Sequence, residues 1–314
     1  MLRDLPSPDL LKVGWPWTKE SKPLSPLMPD GKPWPKISIV TPSYNQGEYL
    51  EETIRSVLLQ NYPNLEYIIM DGGSTDNSIE IIKKYEKYLT YWVSQKDNGQ
   101  ADAVYRGFER ATGDIFAYIN SDDFYLPGSF RRVAEFFTKK PEVEFLIGSC
   151  FHISSVGKIL RKYYGFPADL NSMLSIGMQY CQPACFWRRD IFFATGGFDR
   201  NLIFCFDADM FLRFTRNQKP GYTFRTLAVF RRHPKSKSSN IAGVVNIEGE
   251  KLLKRYGFDT LDENLRLFIQ KKSQFKYIFY RLLGRLADIY LDPIWFFKSL
   301  SSIMLSLAVR KNII

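Results

Sequence analysis

The sequence predicts an α/β fold with a mostly parallel central sheet flanked by helices. Three observations carry this. From Lys36 onward short apolar runs alternate with helical periods, the apolar runs end in polar clusters, and 45% hydrophobic with 24% charged residues supplies a packed interior. Wholesale disorder is excluded by the same composition. At 314 residues the chain suits two domains or one large α/β unit.

Taken in order, the first 35 residues stand apart. They hold eight of the 17 prolines and three of the six tryptophans, Trp15, Trp17 and Trp34. Such a composition sustains neither a regular helix nor a central strand, so an extended arm is expected, its tryptophans packing on the domain that follows. Next, Ile37 to Thr41 reads as a buried strand, Glu48 to Gln60 as a helix, Leu65 to Asp71 as a strand and Asn77 to Lys87 as a helix. Tyr91 to Ser94 continues as strand, Gln100 to Ala111 as helix and Ile115 to Asn120 as strand, with Gly113-Asp114 turning between the last two. In open parallel sheets ligands bind beyond the carboxyl ends of the strands. Those ends read Thr41-Pro42-Ser43-Tyr44-Asn45, Asp71-Gly72-Gly73-Ser74-Thr75-Asp76, Gln95-Lys96-Asp97-Asn98-Gly99 and Asn120-Ser121-Asp122-Asp123, one polar rim. Its carboxylates and the Tyr44 ring suit a metal-bound nucleoside diphosphate. Neither a G-x-x-x-x-G-K-[ST] loop nor a G-x-G-x-x-G turn is present to hold the phosphates instead.

Four cysteines without a C-x-x-C pair and two histidines, His152 and His233, argue against a structural zinc site. The formal charge of +10 calls for an anionic partner. Nucleic acid is not expected, because the core lacks a basic stripe interleaved with aromatics. Most of the excess lies in the tail: from Lys271 to Ile314 eight basic residues face Asp288 and Asp292.

Three blocks follow one another: ISIVTPSYNQGEYLEETIRSVLLQNYPNLEYIIMDGGSTDNS, DNGQADAVYRGFERATGDIFAYINSDD and QPACFWRRDIFFATGGFDRNLIFCFDADMFLR. In this order and spacing, over about Lys36 to Ser239, the sequence resembles the family-2 glycosyltransferases. The resemblance implies a GT-A fold and inverting transfer from a nucleotide-diphosphate sugar, a UDP-sugar favoured, with Mn²⁺ or Mg²⁺. It implies that Pro42, Ser43 and Tyr44 pack on the nucleoside, that Asp71 reads a base edge, and that Gly99, Gln100, Ser121 and Asp122 complete the nucleotide side. An Asp71 that merely closes a Gly-Gly turn is the other reading. Asn120-Ser121-Asp122-Asp123 resembles the family's D-x-D signature with Asn120 in the first Asp's place. Asp122, with Asp123 and His233, would hold the metal, a Lewis acid for the departing diphosphate. Phe206-Asp207-Ala208-Asp209-Met210 matches the family's Glu-Asp-x-Asp-Leu, so Asp207 aligns with the catalytic base, Phe206 replaces Glu, and Asp209 is the fallback. An apolar setting would raise the Asp207 pKa usefully for a base. Gln182, Trp187 and Asp209 are placed on the acceptor or donor-sugar side, with a core role for Trp187 as the alternative. Arg231, Arg232 and Lys237 could neutralise phosphate.

The expected organisation is an arm over 1–35, a catalytic unit over 36–245 with nucleotide-binding (36–125) and acceptor (126–245) halves, and a helical segment over 246–314. Apolar residues from Phe275 to Tyr290 fall at helical spacing beside Lys276, Arg281 and Arg285, and Ile294 to Val309 follows Pro293 as a second apolar stretch. This predicts an interfacial membrane anchor through 271–314 rather than a span, with packing on the protein as the alternative. No secretory signal opens the sequence. The expected protein is a cytoplasmic enzyme, peripheral at the inner face of the cell membrane, that extends a glycan, lipid-linked, in cell-surface polysaccharide biosynthesis; homo-oligomerisation is left open. The competing readings are a degenerate binding member of the fold and a sugar-nucleotide nucleotidyltransferase, whose Gly-rich triphosphate loop is absent.

Overall fold

Ile37–Ser43 forms β1, buried along its whole length, as a strand covered by helices on both faces must be. The computed structural model describes residues 1–237 and 242–297. After β1 come α1 (Gly47–Leu58), β2 (Leu65–Asp71), α2 (Ser78–Tyr85), β3 (Tyr91–Ser94), α3 (Gln100–Arg110), β4 (Ile115–Tyr118), β5 (Phe124–Tyr125) and α4 (Ser129–Lys139). The second half adds β6 (Phe145–Ser154), β7 (Ile159–Tyr163), α5 (Leu170–Ile176), β8 (Cys185–Arg188), α6 (Arg189–Ala194), α7 (Phe206–Asn217), β9 (Gly221–Arg232), α8 (Ala242–Arg255) and α9 (Glu263–Leu291). The expected elements up to β4 appear with ends shifted by a few residues; the helix expected over Asn77 to Lys87 tightens into a 3₁₀ turn at Glu86–Tyr88.

The strands form one sheet in the order β3-β2-β1-β4-β8-β6-β9-β5, with β7 on β6. The pairs β1–β2, β1–β4 and β2–β3 are parallel, as alternation with helices demands. The second half is mixed: β8 runs antiparallel to β4 and β6, β7 to β6 and β5 to β9, while β6 and β9 pair in parallel. One apolar cluster lies under α1, α2 and α4, the other under α3, α6 and α7.

The arm packs on its own domain, as expected. Arg55 on α1 is fully buried and donates to the carbonyls of Pro6 (2.8 Å), Pro16 (3.0 Å) and Trp17 (2.9 Å). Trp34 is buried, and the Trp15 indole donates to the Tyr125 carbonyl at 2.8 Å.

Helix α9 starts twelve residues before the expected Phe275 because Asp262 caps it, accepting from the amides of Asn264 and Leu265. It docks through its small and polar face: Ser273, Gly284 and Asp288 are buried, with Asp288 accepting from Lys162 Nζ at 2.6 Å and from the Tyr164 hydroxyl at 2.7 Å. Its apolar residues Phe275, Ile278, Phe279, Leu282 and Leu286 point outward. Most of the second stretch, Ile294 to Val309, lies outside the described residues. No helix among those described is long and apolar enough to cross a membrane.

Candidate active site

A cavity of about 760 Å³ opens at the carboxyl ends of β1 to β4. Pro42, Ser43 and Tyr44 line it from β1, Gly72 and Gly73 from β2, Lys96 and Asp97 from β3, and Asn120, Ser121 and Asp122 from β4. Gly99 and Gln100, at the start of α3, complete this side. The Tyr44 ring is 61% exposed, an apolar face open to a planar ligand. Gly72 packs close to this wall: a Cβ there would stand 2.8 Å from Oδ2 of Asp97.

The turn after β4 meets the end of β9. Oδ2 of Asp122 lies 3.0 Å from Nε2 of His233. Asp123 turns the other way: it is buried, Oδ1 accepts from the Arg231 amide at 2.8 Å, and burial together with the Asp122 charge pushes its pKa well up. The expected metal role of Asp123 therefore does not fit its place, whereas Asp122 lines the cavity and the buried His233, itself outside the lining, touches its carboxylate. Among the described residues no three His, Cys, Asp or Glu side chains gather as a ready-made metal cage. Arg231 is likewise no phosphate ligand; its guanidinium is buried against Glu52 (2.6 Å) and the Asp122 carbonyl (3.1 Å). Arg232 is exposed and lies outside the cavity lining. Lys237 does line it, donating to Oε1 of Gln100 at 2.9 Å; Nε2 of Gln100 donates in turn to Oδ1 of Asn120 at 2.6 Å.

Asp207 faces the same cavity from the first turn of α7. Burial raises its pKa to about 6, against the pull of the Ala208 amide, the Lys237 charge and a hydrogen bond from the Tyr118 hydroxyl. A carboxyl so tuned gives up and regains a proton near neutral pH. Gln182 reaches the cavity too, its amide held by the Tyr118 carbonyl at 2.7 Å.

Three expected site residues sit elsewhere. Asp71 is buried: Oδ2 accepts from the amides of Gly73 and Ser74 and from the Ser94 hydroxyl, and Oδ1 from the Ser74 hydroxyl. That is the turn-closing reading, and Asp97 takes the cavity wall instead. Trp187 is fully buried among Phe108, Phe192, Phe211 and Phe214, a core residue. Asp209 is buried between Arg213 (2.9 Å) and Arg255 (2.7 Å), pointing away from the cavity as those partners dictate.

The sequence model described as glycosyl transferase family 2 matches residues 38–215, more than half of the chain. The chain belongs to this family. Its fold is the GT-A fold that the resemblance implies. A putative teichuronic acid biosynthesis glycosyltransferase, TuaG of Bacillus subtilis, is 36% identical over 111 residues, 34% of this chain and 43% of the relative. An uncharacterized glycosyltransferase of Nostoc sp. is 36% identical over 105 residues, 32% of this chain and 33% of the relative. The matches thus span about a third to two fifths of those relatives. Among solved structures, S. aureus TarS 1-349 in complex with UDP superposes with a TM-score of 0.55 at 18% identity, covering 76% of this chain and 70% of that one. The mannosyltransferase PcManGT of Pyrobaculum calidifontis, in complex with GDP-Man and Mn²⁺, gives 0.54 at 15%, covering 93% and 84%.

Of the residues that line or face the cavity, Tyr118, Asp97 and the lysines Lys96 and Lys235 were not among the expected site residues. The polar run after the third strand held the signal for Lys96 and Asp97. Tyr118 gave none, because a tyrosine inside an apolar strand looks like core until its hydroxyl is seen at Asp207.

Proposed function

We propose that the protein is an inverting glycosyltransferase that moves a sugar from a nucleotide-diphosphate donor, a UDP-sugar favoured, to a glycan acceptor. The observation that carries this reading is the placement of Asp207, with its pKa raised to about 6, in the same cavity as Tyr44, Asp97 and Asp122. The nucleoside would stack on Tyr44 beside Asp97, and the diphosphate would lie toward Asp122 and the lysines Lys96, Lys235 and Lys237. Asp207 would then take the acceptor hydroxyl's proton as that oxygen attacks the anomeric carbon opposite the departing diphosphate. Tyr118 orients the carboxylate. The diphosphate leaves without needing a proton, so one carboxylate suffices.

A divalent cation fits the donor set. Asp122 offers a hard oxygen and His233 a borderline nitrogen 3.0 Å away, a pair that Mn²⁺ accepts more readily than Mg²⁺, which would take Asp122 alone, with the remaining positions left to phosphate and water. When bound, the ion supplies Lewis-acid stabilisation of the leaving diphosphate. The Mn²⁺ complex of PcManGT and the UDP complex of TarS support these assignments by analogy of fold.

The acceptor is proposed to be a lipid-linked glycan in cell-surface polysaccharide biosynthesis, in keeping with the putative part of TuaG in teichuronic acid biosynthesis. The enzyme would work at the cytoplasmic face of the membrane, where α9 turns Phe275 (74% exposed), Phe279, Leu282 and Leu286 outward beside the exposed Lys271, Lys272 and Arg281. The test is transfer of radiolabelled sugar from a UDP-sugar panel into membrane extract by wild type and Asp207→Asn. Incorporation that depends on Asp207 supports the reading; equal incorporation by both proteins overturns it.

A further inference from the structure

Helix α8 lies beyond the 38–215 span of the family match, yet it grips the turn that leads into the Asp207 helix. The Glu248 carboxylate, 4% exposed, accepts three main-chain hydrogen bonds, from Ile203 at 2.6 Å, Phe204 at 2.9 Å and Cys205 at 2.8 Å. Seven residues along the same helix face, Arg255 donates to Asp209 at 2.7 Å and to Asp199 at 2.8 Å. So α8 holds the turn ahead of α7 at one end and the second carboxylate of α7 at the other.

Cys205 is the N-cap of α7, with an amide that has no intrahelical acceptor, and Ile203 and Phe204 are the turn before it; a carboxylate placed there gains their hydrogen bonds and the favourable end of the helix dipole. Burial pushes the Glu248 pKa up, but the three amides outweigh it and keep the group below the ordinary range, ionised at neutral pH. Hydrogen bonds to an ionised acceptor are about twice as strong as neutral ones. The turn is fixed from its other side as well: the Ile203 carbonyl accepts from Lys237 Nζ at 2.5 Å. Ile203 and Phe204 themselves line the cavity.

We propose that Glu248 is a positioning residue for transfer: acting through the Ile203–Cys205 turn, it fixes where the Asp207 carboxylate points. The proposal rests on the reading of Asp207 as the base. It makes α8 part of the catalytic assembly, although α8 lies outside the family match and contributes no group to the cavity lining.

The test uses the full chain with Glu248→Ala and Glu248→Gln. In Glu248→Ala, amide exchange at Ile203, Phe204 and Cys205 should rise at least about tenfold as local opening becomes easier. Turnover should fall about 10- to 100-fold, the scale of a misplaced catalytic group, with the donor KM within about threefold of wild type. Glu248→Gln keeps one carbonyl acceptor and should recover part of both. Faster exchange with unchanged turnover overturns the positioning role. Equal loss of UDP affinity and turnover also overturns it, marking a general loss of structure. Should Asp207→Asn turn over like wild type, the base assignment falls instead, a result obtained without touching Glu248.

Discussion

Nε2 of His233, at the end of β9, stands 3.0 Å from Oδ2 of Asp122, in the turn after β4. The contact joins residues 111 positions apart, and the route is visible: β5 pairs with β9, and the Arg231 amide, two residues before His233, donates to Asp123. If this pair holds the cation, His233→Ala should raise the Mn²⁺ concentration needed for nucleotide binding by about 10- to 100-fold. A Mn²⁺ titration at fixed UDP reads this directly. An unchanged midpoint removes His233 from the metal site.

The pH dependence follows from Asp207. Its folded pKa is raised to about 6, so the carboxylate needed as base is lost as the pH falls through that value. Turnover should therefore climb from pH 5 to 7 with a midpoint near 6, and Asp207→Asn should lose about 10²- to 10⁴-fold, the usual scale for a general base. A rate that stays flat down to pH 5 contradicts the assignment.

The same carboxyl bears on stability with a definite sign. A folded pKa above the unfolded one means that ionised Asp207 weakens the fold above pH 6, and that this penalty vanishes below the unfolded pKa. Asp207→Asn should thus stabilise the protein at pH 8 by roughly 1–3 kcal/mol, the gain shrinking as the pH approaches 5. Urea unfolding at the two pH values measures it. A destabilised variant at pH 8 would show that Asp207 is structural.

The docking of α9 depends on a buried pair. Lys162 and Asp288 are each 1% exposed in their side chains and 2.6 Å apart, and removing Asp288 leaves the buried ammonium only the Asp292 carboxylate, 3.6 Å away. Asp288→Ala should cost up to about 3–5 kcal/mol, and Lys162→Met with Asp288→Leu should recover part of it, the Tyr164 hydroxyl losing its acceptor. Thermal unfolding of the single and double variants tests this; a single variant as stable as wild type sets the pair aside as an anchor.

The outward face of α9 gives a membrane prediction that leaves docking intact. Truncation at Lys271 would also remove Asp288, so Phe275→Ser with Leu282→Ser and Leu286→Ser is cleaner, since all three side chains are exposed. Binding to anionic liposomes should drop at least about tenfold, each buried apolar side chain contributing on the order of 1–2 kcal/mol, and should weaken with salt. Unchanged partitioning rules this face out as the contact.

What is legible in the sequence is set by the range of the contacts involved. The strands β1 and β2 were legible because parallel strands buried on both faces leave a continuous apolar run. The cavity was legible because four strand ends are polar at once. At Asp71 the turn-closing alternative was legible, since Gly73 and Ser74 supply three of its four hydrogen bonds; only the Ser94 hydroxyl, 23 positions away on the neighbouring strand, was not. Asp209 misled: Arg213 is one helical turn along, but Arg255 arrives from α8. Trp187 reads identically as core or as sugar platform until its neighbours are known. In α9 the helix and its apolar stripe were legible, but a stripe does not say which face docks; the buried Lys162–Asp288 pair decides that.

The proposed nucleotide-diphosphate site is completed by a cation at Asp122. It is tested most directly by thermal shift with UDP, GDP, dTDP and CMP, each with and without Mn²⁺, on wild type and Asp122→Asn. Ligands that bind the native state raise its apparent stability by mass action. A shift is expected for one diphosphate, UDP favoured, that requires Mn²⁺ in wild type and disappears in Asp122→Asn. No shift with any nucleotide, or a shift indifferent to both Mn²⁺ and Asp122, would contradict the proposed site.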